Sequence, residues 1–208
     1  MDLNFVIHQN FTPKRTIEEL KVKSPTAKIL DDSQLWHEFQ AGDEIAFSSI
    51  YRLHAPLLYS YGMKLVKDKE LIKDCIQDLY IELWNTKHRL GSVKNIKSYL
   101  HKSIRRKLIA TAIKNRKKLG RSIKFPDYKI IPAPSEEFKL IEEQINDEKQ
   151  DKLKEALNHL TQKQREIIHL KFFSRLDYSE ISETMGISMK GTYKLMGRSI
   201  NYLRNYMS

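Results

Sequence analysis

The chain has 208 residues, with 37 Lys and Arg against 26 Asp and Glu and a formal net charge of +11, enough for one large or two small domains facing a polyanion. Its single cysteine, Cys75, excludes a disulfide framework and a cysteine-based zinc cluster and points to a reducing compartment, the cytoplasm. No run approaches the roughly 18 apolar residues of a membrane span, and Met1-Asp2-Leu3-Asn4 lacks the basic and apolar regions of a signal peptide, so no membrane insertion is expected.

Residues 1–30 are polar, weakly patterned and interrupted by Pro13 and Pro25. They read as a disordered tail or as a tail that orders on a partner. Helical period starts near Ser33, with Leu35, Trp36 and Phe39 on one face, and breaks at Ala41-Gly42-Asp43. Ala46, Phe47, Ile50, Tyr51, His54, Leu57, Leu58 and Tyr61 then follow at spacings of three and four, an amphipathic helix that Pro56 is expected to kink or restart. A further helix over about 69–85 carries Ile72, Cys75, Ile76, Leu79, Tyr80, Leu83 and Trp84 toward a core. Its other faces hold Asp74, Gln77, Asp78, Ile81 and Glu82. They form either a solvated side or a docking face for another protein, and Ile81 beside the acids favours docking.

A loop over 86–94 leads into a long helix over about 95–118, with Ile96, Tyr99, Leu100, Ser103, Leu108 and Ile113 on the buried side. From Leu83 to Pro126 there is no acid, and that window holds 14 Lys and Arg. The other 164 residues carry 23 basic against 26 acidic side chains, so the excess charge lies in one segment. Fourteen cations without an anion would repel one another on a merely solvated face, which favours a nucleic-acid partner.

Residues 119–146 read as a flexible linker with Gly120, Pro126, Pro132 and Pro134. The stretch Glu136–Asp151 holds seven acids against Lys139 and Lys149, either a solvated spacer or an anionic strand that occupies a nucleic-acid channel. A second helical domain covers 147–208. Leu153, Leu157 and Leu160 form its first stripe, and Thr161-Gln162-Lys163-Gln164 is a capping box. Asp177-Tyr178-Ser179-Glu180 caps a short helix that Gly186 ends, and Ser188 caps the last helix. Met189, Tyr193, Met196, Ile200, Leu203 and Met207 are its expected buried stripe. A short helix, a Gly-containing turn and a capped longer helix spell a helix-turn-helix, with Lys190, Gly191, Thr192, Lys194 and Arg198 where such a helix enters the major groove. The bland alternative is a corner of two helices that binds nothing. No Gly-rich phosphate loop, His-Glu-x-x-His or Cys-x-x-Cys is present, so no catalytic site, metal or cofactor is expected.

The order of parts resembles the extracytoplasmic-function (ECF) sigma factors of the bacterial sigma-70 family, over 31–118 and 147–208. Asp74-x-x-Gln77-Asp78-x-Tyr80-x-x-Leu83-Trp84 is similar to the motif of the family's second region. The resemblance implies that Asp74, Gln77, Asp78, Ile81 and Trp84 meet the core of RNA polymerase. Residues 86–107 match the part that captures and melts the minus-ten promoter element, which implies DNA contacts at Lys94, Asn95, Lys97, Ser98, His101, Lys102, Arg105 and Arg106. Where many members carry Ala-Arg-Asn, this chain has Ile104-Arg105-Arg106. Leu160-Thr161-x-x-Gln164-Arg165-Glu166 and Tyr178-Ser179-Glu180-Ile181-Ser182-x-x-Met185-Gly186-Ile187-Ser188 resemble the fourth region, which reads the minus-thirty-five element. Ser188, Lys190, Gly191, Thr192, Lys194 and Arg198 are the contacts so implied. The fold expected is all-α: two small helical domains on a linker. The partners expected are polymerase core, promoter DNA and an anti-sigma factor. A stand-alone helix-turn-helix regulator and an enzyme acting on nucleic acid are the competing readings. The first leaves the acidic face and the basic helix unexplained, and the second lacks a visible catalytic cluster.

Overall fold

The computed structural model describes residues 31–118 and 147–207. The tail over 1–30 and the linker with its acidic stretch up to residue 146 lie outside the described residues. Every described regular element is helical.

Helix α1 spans Asp32–Ala41 and stops at Gly42, whose φ of 97° lies in the left-handed region that favours glycine. Asp43 begins α2, Glu44–Leu65, by accepting the N–H groups of Ile45 at 2.7 Å and Ala46 at 3.0 Å. Helix α2 runs on through Pro56 without a restart. Arg52, Leu53, Pro56 and Leu57 are all exposed, so the carbonyl that Pro56 leaves without its helical donor lies on the water side. Asp68 caps α3, Lys69–Thr86, through the Leu71 N–H. One 3-10 turn, Lys87–Arg89, and a short extended loop follow. Asn95 then caps α4, Ile96–Lys118, through the Ser98 N–H at 3.0 Å.

Helices α2, α3 and α4 pack on one another, and α1 lies against α2 and the 3-10 turn. An aromatic chain runs through this core: Trp36 to Phe39 at 5.0 Å, Phe39 to Phe47 at 5.8 Å and Phe47 to Tyr80 at 6.0 Å between ring centroids. Gly62 lets α2 and α3 approach closely, since a Cβ there would sit 2.8 Å from Ile72 Cγ2. On α4 the buried stripe is Ile96, Leu100, Ile104 and Leu108, a spacing of four. Ile113, expected inside, is 38 % exposed, and Ile104 contributes in its place.

In the second module, α5 spans Asp147–His159 and α6 spans Gln162–Ile168 behind the Thr161–Gln164 capping box. A π-helical turn, His169–Phe173, continues α6. Helix α7, Tyr178–Met185, opens with the Asp177–Glu180 capping box and ends at Gly186 with φ 66°. Helix α8, Met189–Met207, packs on α5, α6 and α7. Its register differs from the sequence expectation. Thr192, Met196 and Ser199 face inward, while Met189, Tyr193 and Ile200 are exposed. The Thr192 hydroxyl donates to the Ser188 carbonyl at 3.1 Å and the Ser199 hydroxyl to the Leu195 carbonyl at 2.8 Å. Both side chains satisfy their polarity within the helix and so can be buried.

The two modules are seated on each other, α4 against α7 and α2 against α6.

Candidate nucleic-acid interface

The surface expected to meet the minus-ten element splits into two parts. Lys94 and Arg106 are exposed, and Asn95, Lys97 and Ser98 are half-buried around the start of α4. The next turns of α4 face the second module instead. Arg105 Nε donates to Glu166 Oε1 at 2.6 Å, and the Tyr61 hydroxyl donates to the same oxygen at 2.7 Å. Glu166 is 2 % exposed, so its charge is held by these two donors rather than by water. Lys102 reaches Glu183 at 3.1 Å nearer the rim.

His101 corrects the sequence expectation. It is fully buried, with Nδ1 donating to the Lys97 carbonyl at 2.8 Å and Nε2 accepting the Ser174 hydroxyl at 3.0 Å. Burial lowers its pKa to about 4, which keeps the ring neutral and suited to this donor–acceptor pair. It is therefore a packing residue between modules, not an exposed DNA contact. Its ring lies 5.1 Å from that of Tyr61, and His169 stacks between Tyr61 at 6.0 Å and Phe173 at 5.2 Å. Burial, then the nearby Lys64 and His101, lower His169 to about 3, and burial lowers His54 to about 4.

On the helix-turn-helix, Ser188 Oγ accepts the Gly191 N–H at 3.1 Å, and the Ser188 carbonyl accepts the Thr192 N–H at 2.8 Å. A Cβ at Gly191 would come 3.2 Å from Ser188 Oγ, so the glycine leaves room for the cap. Lys190, Lys194 and Arg198 are exposed at spacings of four. Thr192 is the second correction: it is fully buried and cannot reach a base. Tyr193 stands outward between the lysines with its ring 4.6 Å from Tyr178, a surface aromatic that the apolar-stripe argument assigned to the core.

On the outer side of α3, Asp74 and Asp78 are exposed, and Gln77, Ile81 and Trp84 are half-buried. Trp84 packs 5.0 Å from Phe47 and carries Lys87 Nζ 4.0 Å above its ring. Lys107, from the basic helix, bridges to Glu82 at 2.6 Å and to Asp78 at 3.9 Å. Part of the cationic charge on α4 thus neutralises α3. Among the described residues no three His, Cys, Asp or Glu side chains cluster as metal ligands, and no helix is long and apolar enough to cross a membrane.

The described chain is thus a pair of helical modules, one a helix-turn-helix, each with exposed cations on one helix. The model for sigma-70 region 2 matches residues 50–118, and that for sigma-70 region 4 matches residues 150–201. Together they cover more than half of the chain, which belongs to the sigma-70 family. It is 22% identical to the ECF RNA polymerase sigma factor SigK of Mycobacterium tuberculosis, and to that of Mycobacterium bovis, over 164 residues. That is 78% of this chain and 86% of each relative. Its fold is similar to that of the Bartonella quintana sigma factor RpoE, solved in complex with the anti-sigma factor NepR, at TM-score 0.57 and 21% identity, covering 77% of this chain and 96% of that one. It is also similar to CnrH, solved with the cytosolic domain of CnrY, at TM-score 0.55 and 15% identity, covering 85% and 96%.

Proposed function

We infer that the chain is an ECF-type sigma factor that binds RNA polymerase core and directs it to promoters, without catalysis of its own. The observation that carries this reading is that the two family matches coincide with two modules bearing different surfaces. An acidic and apolar stripe, Asp74, Gln77, Asp78, Ile81 and Trp84, suits a basic protein partner, the polymerase core. The cations of α4 and α8 suit DNA phosphates and base edges. Lys94, Asn95, Lys97, Ser98, Lys102, Arg105 and Arg106 serve the minus-ten element. Ser188, Lys190, Gly191, Lys194 and Arg198 serve the minus-thirty-five element. Its workplace is the cytoplasm, where core enzyme and DNA are found.

Arg105 and Lys102 are engaged by Glu166 and Glu183 when the modules are together. DNA contact through these two cations therefore requires the modules to part, with phosphate oxygens replacing the carboxylates. An anti-sigma factor is proposed as a further partner, as one accompanies the similar RpoE. Gel filtration of the full chain with purified core polymerase tests the reading. A stable complex is expected, and Asp78→Lys, folded by its helical signal, should weaken it. A chain that binds promoter DNA alone and ignores core would instead be a stand-alone regulator.

A further inference from the structure

Helix α1 carries none of the expected DNA or polymerase contacts, yet it holds the loop that leads into α4 from behind. Three of its side chains, each four residues from the next, hydrogen-bond that loop's main chain. Asp32 Oδ2 accepts the Ile96 N–H at 2.9 Å. Trp36 Nε1–H donates to the Gly91 carbonyl at 3.0 Å. Gln40 Nε2 donates to the Leu90 carbonyl. Positions 32, 36 and 40 share one helical face, and they meet 96, 91 and 90 in reverse order, so one side of α1 runs antiparallel along the loop.

Residues 91–94 make no backbone–backbone hydrogen bond with a described residue. Leu90 and Val93 are half-buried against the core, while Gly91, Ser92 and Lys94 face out. A Cβ built at Gly91 meets nothing within 4 Å, so the outer side of the loop is open. Trp36 is 1 % exposed and its ring is wedged between Phe39 at 5.0 Å and Tyr99 at 5.2 Å, so its N–H has no water to turn to and its direction is fixed.

We propose that Asp32, Trp36 and Gln40 are positioning residues for minus-ten recognition: they fix the backbone of residues 90–96 and thereby set which exposed base the loop accepts. The proposal rests on the reading of residues 86–107 as the minus-ten reader. It follows from the geometry that base preference depends on atoms which never touch DNA. An acceptance pocket built on a loop loses discrimination when its backbone is released, even if every outward side chain remains.

The test uses holoenzyme assembled from the full chain and core polymerase, with a promoter library randomised across the minus-ten element, and reads which sequences yield transcripts. Gln40→Met keeps the length of the side chain and removes the donor. Gln40→Lys keeps a donor at similar reach. Trp36→Phe keeps an aromatic ring and removes the N–H. Asp32→Asn keeps an acceptor that Asp32→Ala removes. Gln40→Met, Trp36→Phe and Asp32→Ala should lower the ratio of best to second-best base at the loop-read position about fivefold or more, the scale of one lost base contact. Gln40→Lys and Asp32→Asn should stay near the parent, and minus-thirty-five preference and core affinity should not move. A lower melting temperature without a change in base preference would make these residues structural only and overturn the proposal. Lys94→Ala and Ser92→Ala separate the two ways of failing. If they shift preference while the α1 variants do not, the positioning role is wrong and the loop reading stands. If neither set shifts it, both fall. Should Trp36→Phe fold poorly, the half-buried Gln40 pair decides the matter.

Discussion

Glu166→Gln should loosen the contact between the modules by an amount that follows from its two bonds. Glutamine keeps the shape and an acceptor oxygen for Tyr61 and Arg105 but loses the charge. A hydrogen bond to a charged group contributes about 1.5–3 kcal/mol and a neutral one about 0.5–1.5; the Tyr61 bond falls from the first range to the second while the Arg105 bond keeps its charged donor, so the loss is on the order of 1–2 kcal/mol. That shifts the ratio of parted to closed molecules about 5- to 30-fold. DNA affinity through Arg105 and Lys102 scales with the parted fraction, so it should rise by a similar factor while the closed form dominates. The assay is binding of the full chain to promoter DNA at fixed salt, alongside small-angle scattering for the radius of gyration. Glu70→Gln is the control, since Glu70 is exposed on α3, bonds only Lys73 among the described residues, at 2.9 Å, and gives the same change of net charge. Equal affinities for Glu166→Gln and Glu70→Gln, with unchanged scattering, would refute the claim that Glu166 withholds Arg105 from DNA.

Four further outcomes are expected. Asp78→Lys should weaken core binding about tenfold or more without loss of helical signal, because it reverses the charge at the proposed docking stripe and puts a like charge beside Lys107; unchanged affinity in a titration with core would count against that stripe. His54, His101 and His169, with pKa values lowered by burial to about 4, 4 and 3 from 6.5, bind fewer protons folded than unfolded. Their stabilisation is therefore complete above about pH 6.5 and is lost as pH falls toward 4. Denaturant unfolding at pH 5 should show a deficit of about 2 kcal/mol for each of them relative to pH 7.5, and equal stability at the two pH values would exclude neutral buried rings. Lys190→Ala should relax minus-thirty-five sequence preference, whereas Arg198→Ala should weaken all sequences alike and shrink the salt slope by about one. Thr192→Ala should lower stability and leave preference intact, as selection from a randomised DNA pool at two salt concentrations would reveal.

The helices and most of the core follow from the apolar spacing of the sequence, since Ile72, Ile76, Leu83, Leu100 and Leu108 sit where the period puts them. The caps at Thr161 and Asp177 were equally legible, because a capping box lies within four residues of sequence. The errors on α8 have one cause. Thr192 and Ser199 look polar in one dimension but bond their own helix, so they turn inward and send Tyr193 and Ile200 out. His101 looked like a member of a basic face because its partner Ser174 is 73 residues away. Glu166 is buried four residues before the buried Leu170, and nothing local in the sequence names Tyr61 and Arg105 as its partners. The hold of α1 on the loop was invisible for a different reason: it ends on the carbonyls of Leu90 and Gly91, and backbone atoms are the same at every position.

As a sigma factor, this chain confers promoter choice on a polymerase that lacks it. Core enzyme is incubated with fragmented genomic DNA, with and without the full chain, and the 5′ ends of the transcripts are sequenced. Core alone should initiate diffusely. Core with the chain should initiate at a small set of positions that share one minus-ten and one minus-thirty-five sequence, and Lys190→Ala should blur only the latter. Initiation that stays diffuse with the folded chain present, or that does not require the chain, would be incompatible with a sigma factor.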